Sequence, residues 1–167
     1  MAASGVDIVA NYTSWTIDPR EFARQAEAGG FAGVSCSDHF FRTSAYPHLW
    51  VTLAAMAAST ERVFLTSSFA NNLFRSPVEV AQAAFQMQIV SKGRFECGIG
   101  AGWTKDECIG ASLPYPSPGE RAGRLIETVQ ILRQLFDHRK ASFHGQYYDV
   151  EVPHLGPQTT QVPAPPL

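Results

Sequence analysis

Apolar residues fall along the chain in two alternating rhythms. Four short runs are almost continuously apolar or small: Val6–Tyr12 (VDIVANY), Gly33–Ser37 (GVSCS), Val63–Phe69 (VFLTSSF) and Arg94–Gly100 (RFECGIG). Each has strand length, and such runs are expected of parallel strands buried on both faces. Between them the apolar positions recur at helical spacing. Phe22, Ala23 and Ala26 mark a first helix that stops at Gly29-Gly30, and Leu49, Leu53, Met56 and Ala57 a second from about Pro47 to Ala58. Val78, Ala81, Phe85 and Ile89 mark a third, and Leu125, Val129, Leu132 and Phe136 a fourth. Three of these helices share one opening signature, DPRE at 18–21, SPVE at 76–79 and SPGE at 117–120. Each places a capping side chain at Ncap, proline at the first helical position and glutamate where it closes a capping box.

Strand and helix therefore alternate four times, close to the ~30-residue period of a βαβ unit. This predicts an α/β fold: half of an eightfold barrel, or part of an open doubly wound sheet such as a small flavodoxin-like fold. After Lys140 the pattern changes to ASFHGQYYDVEV, which reads as a hairpin about His144-Gly145. The segment from Thr104 to Pro118, with three prolines, reads as a loop. The proline-rich tail from 153 to 167 reads as an extended connector.

Composition narrows the function. The 167 residues suffice for one domain with a core, and a net charge of −2 gives no argument for nucleic acid or an anionic membrane. The longest membrane candidate, Leu49 to Ala58, is about half the length needed to span a bilayer. MAASGVDIVANYTS lacks the basic start and apolar core of a signal peptide. Cys36, Cys97 and Cys108 show no C-x-x-C spacing, so the expectation is a reduced, cytoplasmic protein with no structural metal.

The chemistry is expected at the carboxyl ends of the strands, where parallel α/β folds place their sites. Four clusters fall there: Asn11-Tyr12, Asp38-His39-Phe40, Ser67 through Asn72, and Gly100 to Trp103. The last belongs to FECGIGAGW, which is not a dinucleotide loop, because Trp103 stands where G-x-G-x-x-G needs its third glycine. Gly98, Gly100 and Gly102 are instead read as allowing a flat ligand to lie against the strand end. His39 is the candidate for proton transfer; His48, His138, His144 and His154 read as solvated or structural, and the cysteines as small buried residues.

The stretch Ser91–Phe136, SKGRFECGIGAGWTKDECIGASLPYPSPGERAGRLIETVQILRQLF, resembles the luciferase-like monooxygenase superfamily of flavin- or deazaflavin-dependent oxidoreductases. SDHFF, LTSSFANNLFRSPVEVAQ and FHGQYYDV fit the same pattern. The resemblance implies a TIM (β/α)8 barrel, of which this chain would be about the first four βα units. Residues 1–140 would form the amino-terminal half, 141–152 a hairpin insertion, and 153–167 a connector to a second half. It implies a redox cofactor, coenzyme F420 in preference to FMN, lying against the strand ends. Asp38-His39 matches a pair in F420 users whose histidine sits near the reactive ring face. Asn71 falls at a cofactor contact and a non-prolyl cis peptide would fall at Ser68-Phe69; Ser68, Phe69, Gly102 and Trp103 are further cofactor-binding candidates, with Trp103 either walling the pocket or packed beneath the loop. One departure is informative: the sugar-phosphate dehydrogenase branch carries glutamate where Trp103 stands, which disfavours sugar-phosphate oxidation and leaves proton transfer to His39.

The expected function is hydride transfer between deazaflavin or flavin and a small organic substrate. The alternatives are a non-catalytic half-barrel that assembles with itself or with a second-half partner, and an inactive remnant.

Overall fold

The computed structural model describes residues 6–13, 15–42, 44–156 and 163–167; residues 157–162 of the expected connector lie outside the described residues. The chain runs β1 (Val9–Tyr12), α1 (Pro19–Ala28), β2 (Gly33–Cys36), α2 (Leu49–Ala58), β3 (Phe64–Ser67), β4 (Ala70–Asn71) and α3 (Pro77–Val90). It continues through β5 (Phe95–Glu96), β6 (Ile99–Gly100), α4 (Lys105–Gly110), α5 (Pro118–His138), β7 (Ala141–His144) and β8 (Asp149–Val152). The main sheet has the order β1-β2-β3-β5, and every pairing is parallel. Val34, Cys36, Leu65 and Phe95 enter the same core as Ala23, Leu53, Met56, Val80 and Phe85 from the helices.

The expected third and fourth strands are each split in two. β3 gives way to β4, which pairs with β6 as Ala70↔Ile99 and Asn71↔Gly100. Between the two ladders the Ser67 side chain does the pairing: its Oγ donates to the Gly98 carbonyl (2.7 Å) and accepts from the Gly98 N–H (2.9 Å). This close approach requires glycine, because a Cβ at 98 would lie 2.4 Å from the Ser67 carbonyl oxygen.

The helix starts are those the sequence predicts. Asp18 accepts from the Arg20 N–H (2.8 Å), and Ser76 and Ser117 accept from Glu79 (3.1 Å) and Glu120 (3.3 Å). The reciprocal half of the capping box is replaced: Glu21, Glu79 and Glu120 turn instead to Arg24, Arg75 and Arg124. Three further expectations are corrected. The first half of Thr104–Pro118 is a helix, α4, because the prolines lie beyond its end and Asp106 and Glu107 occupy the first turn, where the helix dipole favours carboxylates. The buried stripe of α3 runs through Val80, Ala81, Ala84, Phe85 and Gln88, leaving Ile89 exposed, since only this face meets the sheet. Burial on both faces holds for β2 and the two-residue β4; in β1 and β3 it alternates or fades, since their second face lacks a covering layer among the described residues.

Two carboxylates tie loops to helices. Glu127 of α5 accepts the N–H groups of Gln146, Tyr147 and Tyr148 at 2.8, 2.9 and 3.0 Å, holding the turn of the antiparallel β7–β8 hairpin. Glu27 of α1 accepts those of Glu61, Arg62 and Val63 at 3.1, 2.6 and 3.1 Å. Burial works to raise the Glu27 pKa, but the three N–H groups outweigh it and hold the carboxyl below its ordinary value. A depressed folded-state pKa contributes stability above the unfolded value, lost as pH falls through the folded one. Glu27→Gln should therefore cost about 1 kcal/mol at neutral pH, and thermal melts should show the gap from the parent closing as pH drops below the glutamate range. Finally, 163–167 return to the sheet, where the Cys97 N–H donates to the Pro166 carbonyl at 2.8 Å.

Candidate functional site

The segment after β2 is extended, so successive side chains leave it in opposite directions. Asp38 turns one way, and its Oδ2 accepts the Asn71 N–H (2.7 Å). The carboxylate also forms a two-pronged ion pair with Arg75, Nη1 to Oδ2 and Nη2 to Oδ1 at 3.0 Å. Asp38 is 5% exposed, and burying it is tolerable because a guanidinium and an N–H satisfy it. Its work is to lock the β4 segment and the start of α3 against β2.

His39 turns the other way. Its Nδ1 lies 2.9 Å from Oε2 of Glu107, a carboxylate on α4 that is fully buried. The other oxygen of Glu107 accepts the N–H groups of Phe40 and of Phe41 (3.3 Å). The imidazole is flanked by Tyr46, centroids 5.0 Å apart, and meets Trp103 edge-on at 6.0 Å. Arg42 stacks over the outer face of that indole, 4.6 Å from its centroid.

Asp38, His39, Ser68, Phe69, Asn71, Gly102 and Trp103 line one cavity of about 270 Å³, with Gly100 and Ala101 completing its wall. All seven residues expected at the site from the sequence are thus brought together. Asn11 and Tyr12 are not: Asn11 bonds Ser35 and Ser37, and the buried Tyr12 hydroxyl donates to the Ile17 carbonyl at 2.6 Å. The Ser68–Phe69 peptide bond is cis, as expected, and the rings of Phe69 and Trp103 are 65% and 60% exposed, two apolar walls facing open space. Asn71 spends its Oδ1 on the Leu73 N–H (3.0 Å), while its Nδ2 has no partner among the described residues.

Of the three glycines, Gly98 acts differently from the expectation. A Cβ at Gly98 or Gly100 would meet Ser67 or Phe69, and one at Gly102 would meet Asn71 and Leu73. The room at Gly98 is filled by the neighbouring segment, whereas Gly100 and Gly102 also line the cavity. Gly102 also adopts φ +77°, which glycine alone takes without strain.

Two residues of the constellation escaped the sequence reading. Arg75 sits just ahead of a helix cap, and Glu107 stands beside the exposed Asp106; nothing local marks which acid of the pair is buried. The three thiols are free and buried. Burial, with Asp38 nearby, pushes Cys36 up to about 12, and burial alone does the same to Cys97. Burial likewise raises Cys108. His48 serves as the cap of α2, and His144 lies between Asp149 and Glu151 on the hairpin. Among the described residues no group of three His, Cys, Asp or Glu side chains could hold a metal ion, and no helix is long and apolar enough to cross a membrane.

This arrangement suits a flat, largely apolar ring held between aromatic walls, with one histidine at its edge. The volume is at the small end for ligand pockets, enough for part of a larger molecule. Comparison with known proteins gives the family. The sequence model described as luciferase-like monooxygenase matches residues 17–167. An F420-dependent glucose-6-phosphate dehydrogenase of Intrasporangium calvum is 38% identical over 140 residues, covering 78% of this chain and 42% of that protein. A monooxygenase from Streptomyces bottropensis superposes with a TM-score of 0.77 at 27% identity, over 89% of this chain and 45% of that one. An F420-dependent secondary alcohol dehydrogenase, solved with an F420–acetone adduct, gives 0.77 at 24% identity, over 93% and 48%. The chain therefore spans less than half the length of each of these proteins.

Proposed function

Because the chain belongs to the luciferase-like monooxygenase family, whose (β/α)8 barrels share its parallel sheet, we propose that it furnishes the ring-binding face of an F420-dependent oxidoreductase acting on a small organic substrate. The observation that carries this reading is the meeting of His39, Phe69, Asn71 and Trp103 around one cavity. The residues fit such a cofactor: Phe69 and Trp103 offer their faces to a ring, and the free Asn71 Nδ2 offers a donor to a ring carbonyl. When bound, the deazaflavin supplies hydride acceptance or donation. The chain supplies the rest. Phe69 and Trp103 exclude water from the ring, Asn71 orients it, and His39 takes a proton from the substrate during oxidation or returns one during reduction.

Residues 1–140 act as this cofactor-facing unit, 141–152 as a hairpin insertion, and 153–167 as a connector to a second half. Three free, buried cysteines suit a reducing, cytoplasmic setting. A second reading is favoured by Val6 and Ile8, which are 90% and 64% exposed ahead of the β1 edge: a half-barrel that pairs with a second copy or a second-half partner, without catalysis of its own.

One titration separates them. The chain is titrated with coenzyme F420 and separately with FMN, following cofactor fluorescence, with mass measured at each concentration. Saturable binding of F420, at least tenfold tighter than FMN, is the expected result. Tighter FMN binding transfers the reading to flavin. Assembly without binding of either supports the non-catalytic half-barrel.

A further inference from the structure

We infer that Glu107 is the positioning residue for His39, fixing the neutral imidazole with its proton on Nδ1 and a bare Nε2. Its consequence for turnover rests on the function proposed above; the geometry stands without it. An ionised carboxylate can only accept hydrogen bonds. Oε1 of Glu107 is committed to two backbone N–H groups, Phe40 and Phe41, which belong to the same segment as His39. Those two donors fix the carboxylate plane, so Oε2 has one place to be, 2.9 Å from Nδ1. With Glu107 ionised, a group facing Oε2 in a fully buried site must donate, because an unpaired buried carboxylate oxygen is costly. Neutral imidazole carries one N–H, so Nε2 is left as an acceptor. Tyr46 and Trp103 pack against the ring, with centroids at 5.0 and 6.0 Å. Nε2 has no protein partner among the described residues, which leaves it free to take a proton from a substrate hydroxyl.

The test begins with the full chain without cofactor, at about pH 8, above the ordinary imidazole value. The 15N spectrum of His39, assigned by its loss in His39→Asn, should show a protonated Nδ1 and a bare Nε2. In Glu107→Gln the carboxamide oxygen keeps the two backbone N–H groups and its NH2 now donates to Nδ1, so the proton should move to Nε2. Hydride transfer with F420 should then fall at least tenfold, since the wrong tautomer cannot accept the proton, while F420 affinity stays within about threefold. A parent spectrum with the proton on Nε2, or the same tautomer in both proteins, overturns the inference. If Glu107→Gln does not fold, the parent spectrum alone still decides. Failure of F420 to bind would remove the proposed function yet leave the tautomer result standing, so the two fail separately.

Discussion

Replacing His39 with alanine is expected to lower F420-dependent hydride transfer about 100-fold or more while the cofactor still binds within about threefold of its parent affinity. General acid–base catalysis by a positioned side chain contributes roughly 10²–10⁴-fold, and His39 is the one imidazole lining the cavity. Phe69 and the donor Asn71 stand on other elements and keep their supports, and Trp103 loses its edge contact with the imidazole but keeps Arg42 over its indole. Asn71 in particular is fixed through Asp38 and Arg75, not through His39. The measurement is turnover at saturating F420 over a panel of small alcohols and carbonyls, beside a fluorescence titration of each protein. His39→Asn, which can still donate to Glu107, guards against misreading a folding defect. Unchanged turnover would strip His39 of its proton-transfer role. A large loss of affinity would instead make it a residue that holds the cofactor.

The second large effect is expected at Gly98. Alanine there puts a methyl group 2.4 Å from the Ser67 carbonyl oxygen and 3.0 Å from the Phe69 ring. The first obstacle is backbone, and it cannot swing aside without breaking the pair of hydrogen bonds by which Ser67 joins Gly98. Overpacking of this kind costs about 1–3 kcal/mol, and loss of the paired bonds takes Gly98→Ala to the top of that range. For a chain of this size that corresponds to a melting temperature lower by roughly 6–12 °C. Because Phe69 moves with Ser67, F420 affinity should fall with it. Gly119→Ala is the control: it sits in the first turn of α5 with nothing within 4 Å of the added carbon, and it should melt no lower than the parent. Equal melting of the two variants would show that the junction between the ladders yields more easily than its geometry implies.

These two positions illustrate what was legible beforehand. The alternation of apolar runs and helical stripes gives the βα order directly, and the proline-marked caps locate three helix starts. The strand ends bring the clusters holding His39, Phe69, Asn71 and Trp103 forward, and family resemblance adds the cofactor they would face. What it could not convey is which atoms meet. Gly98, which reads as space for a ligand, turns out to be space for the adjacent segment at Ser67, a fact that depends on how two segments 31 residues apart approach each other. Glu107 lay in a stretch read as loop because its prolines dominated, and the burial of one acid beside an exposed one is decided by tertiary docking of α4 onto Phe40 and Phe41. The offset in α3 has a similar origin: Ile89 fits the helical period as well as Gln88 does, and only the position of the sheet selects between them.

The carboxylates of Asp38 and Glu107 also bear on dynamics. Loops at the ligand-facing end of an α/β fold are ordinarily its most mobile parts. Here Asn71, Phe40 and Phe41 each give their backbone N–H to a buried acid anchored to a neighbouring unit. The entropy of ordering these loops is therefore surrendered during folding rather than on encounter with a ligand. A face assembled in advance gains affinity without adding any new contact, and it makes recognition a matter of fit to an existing shape.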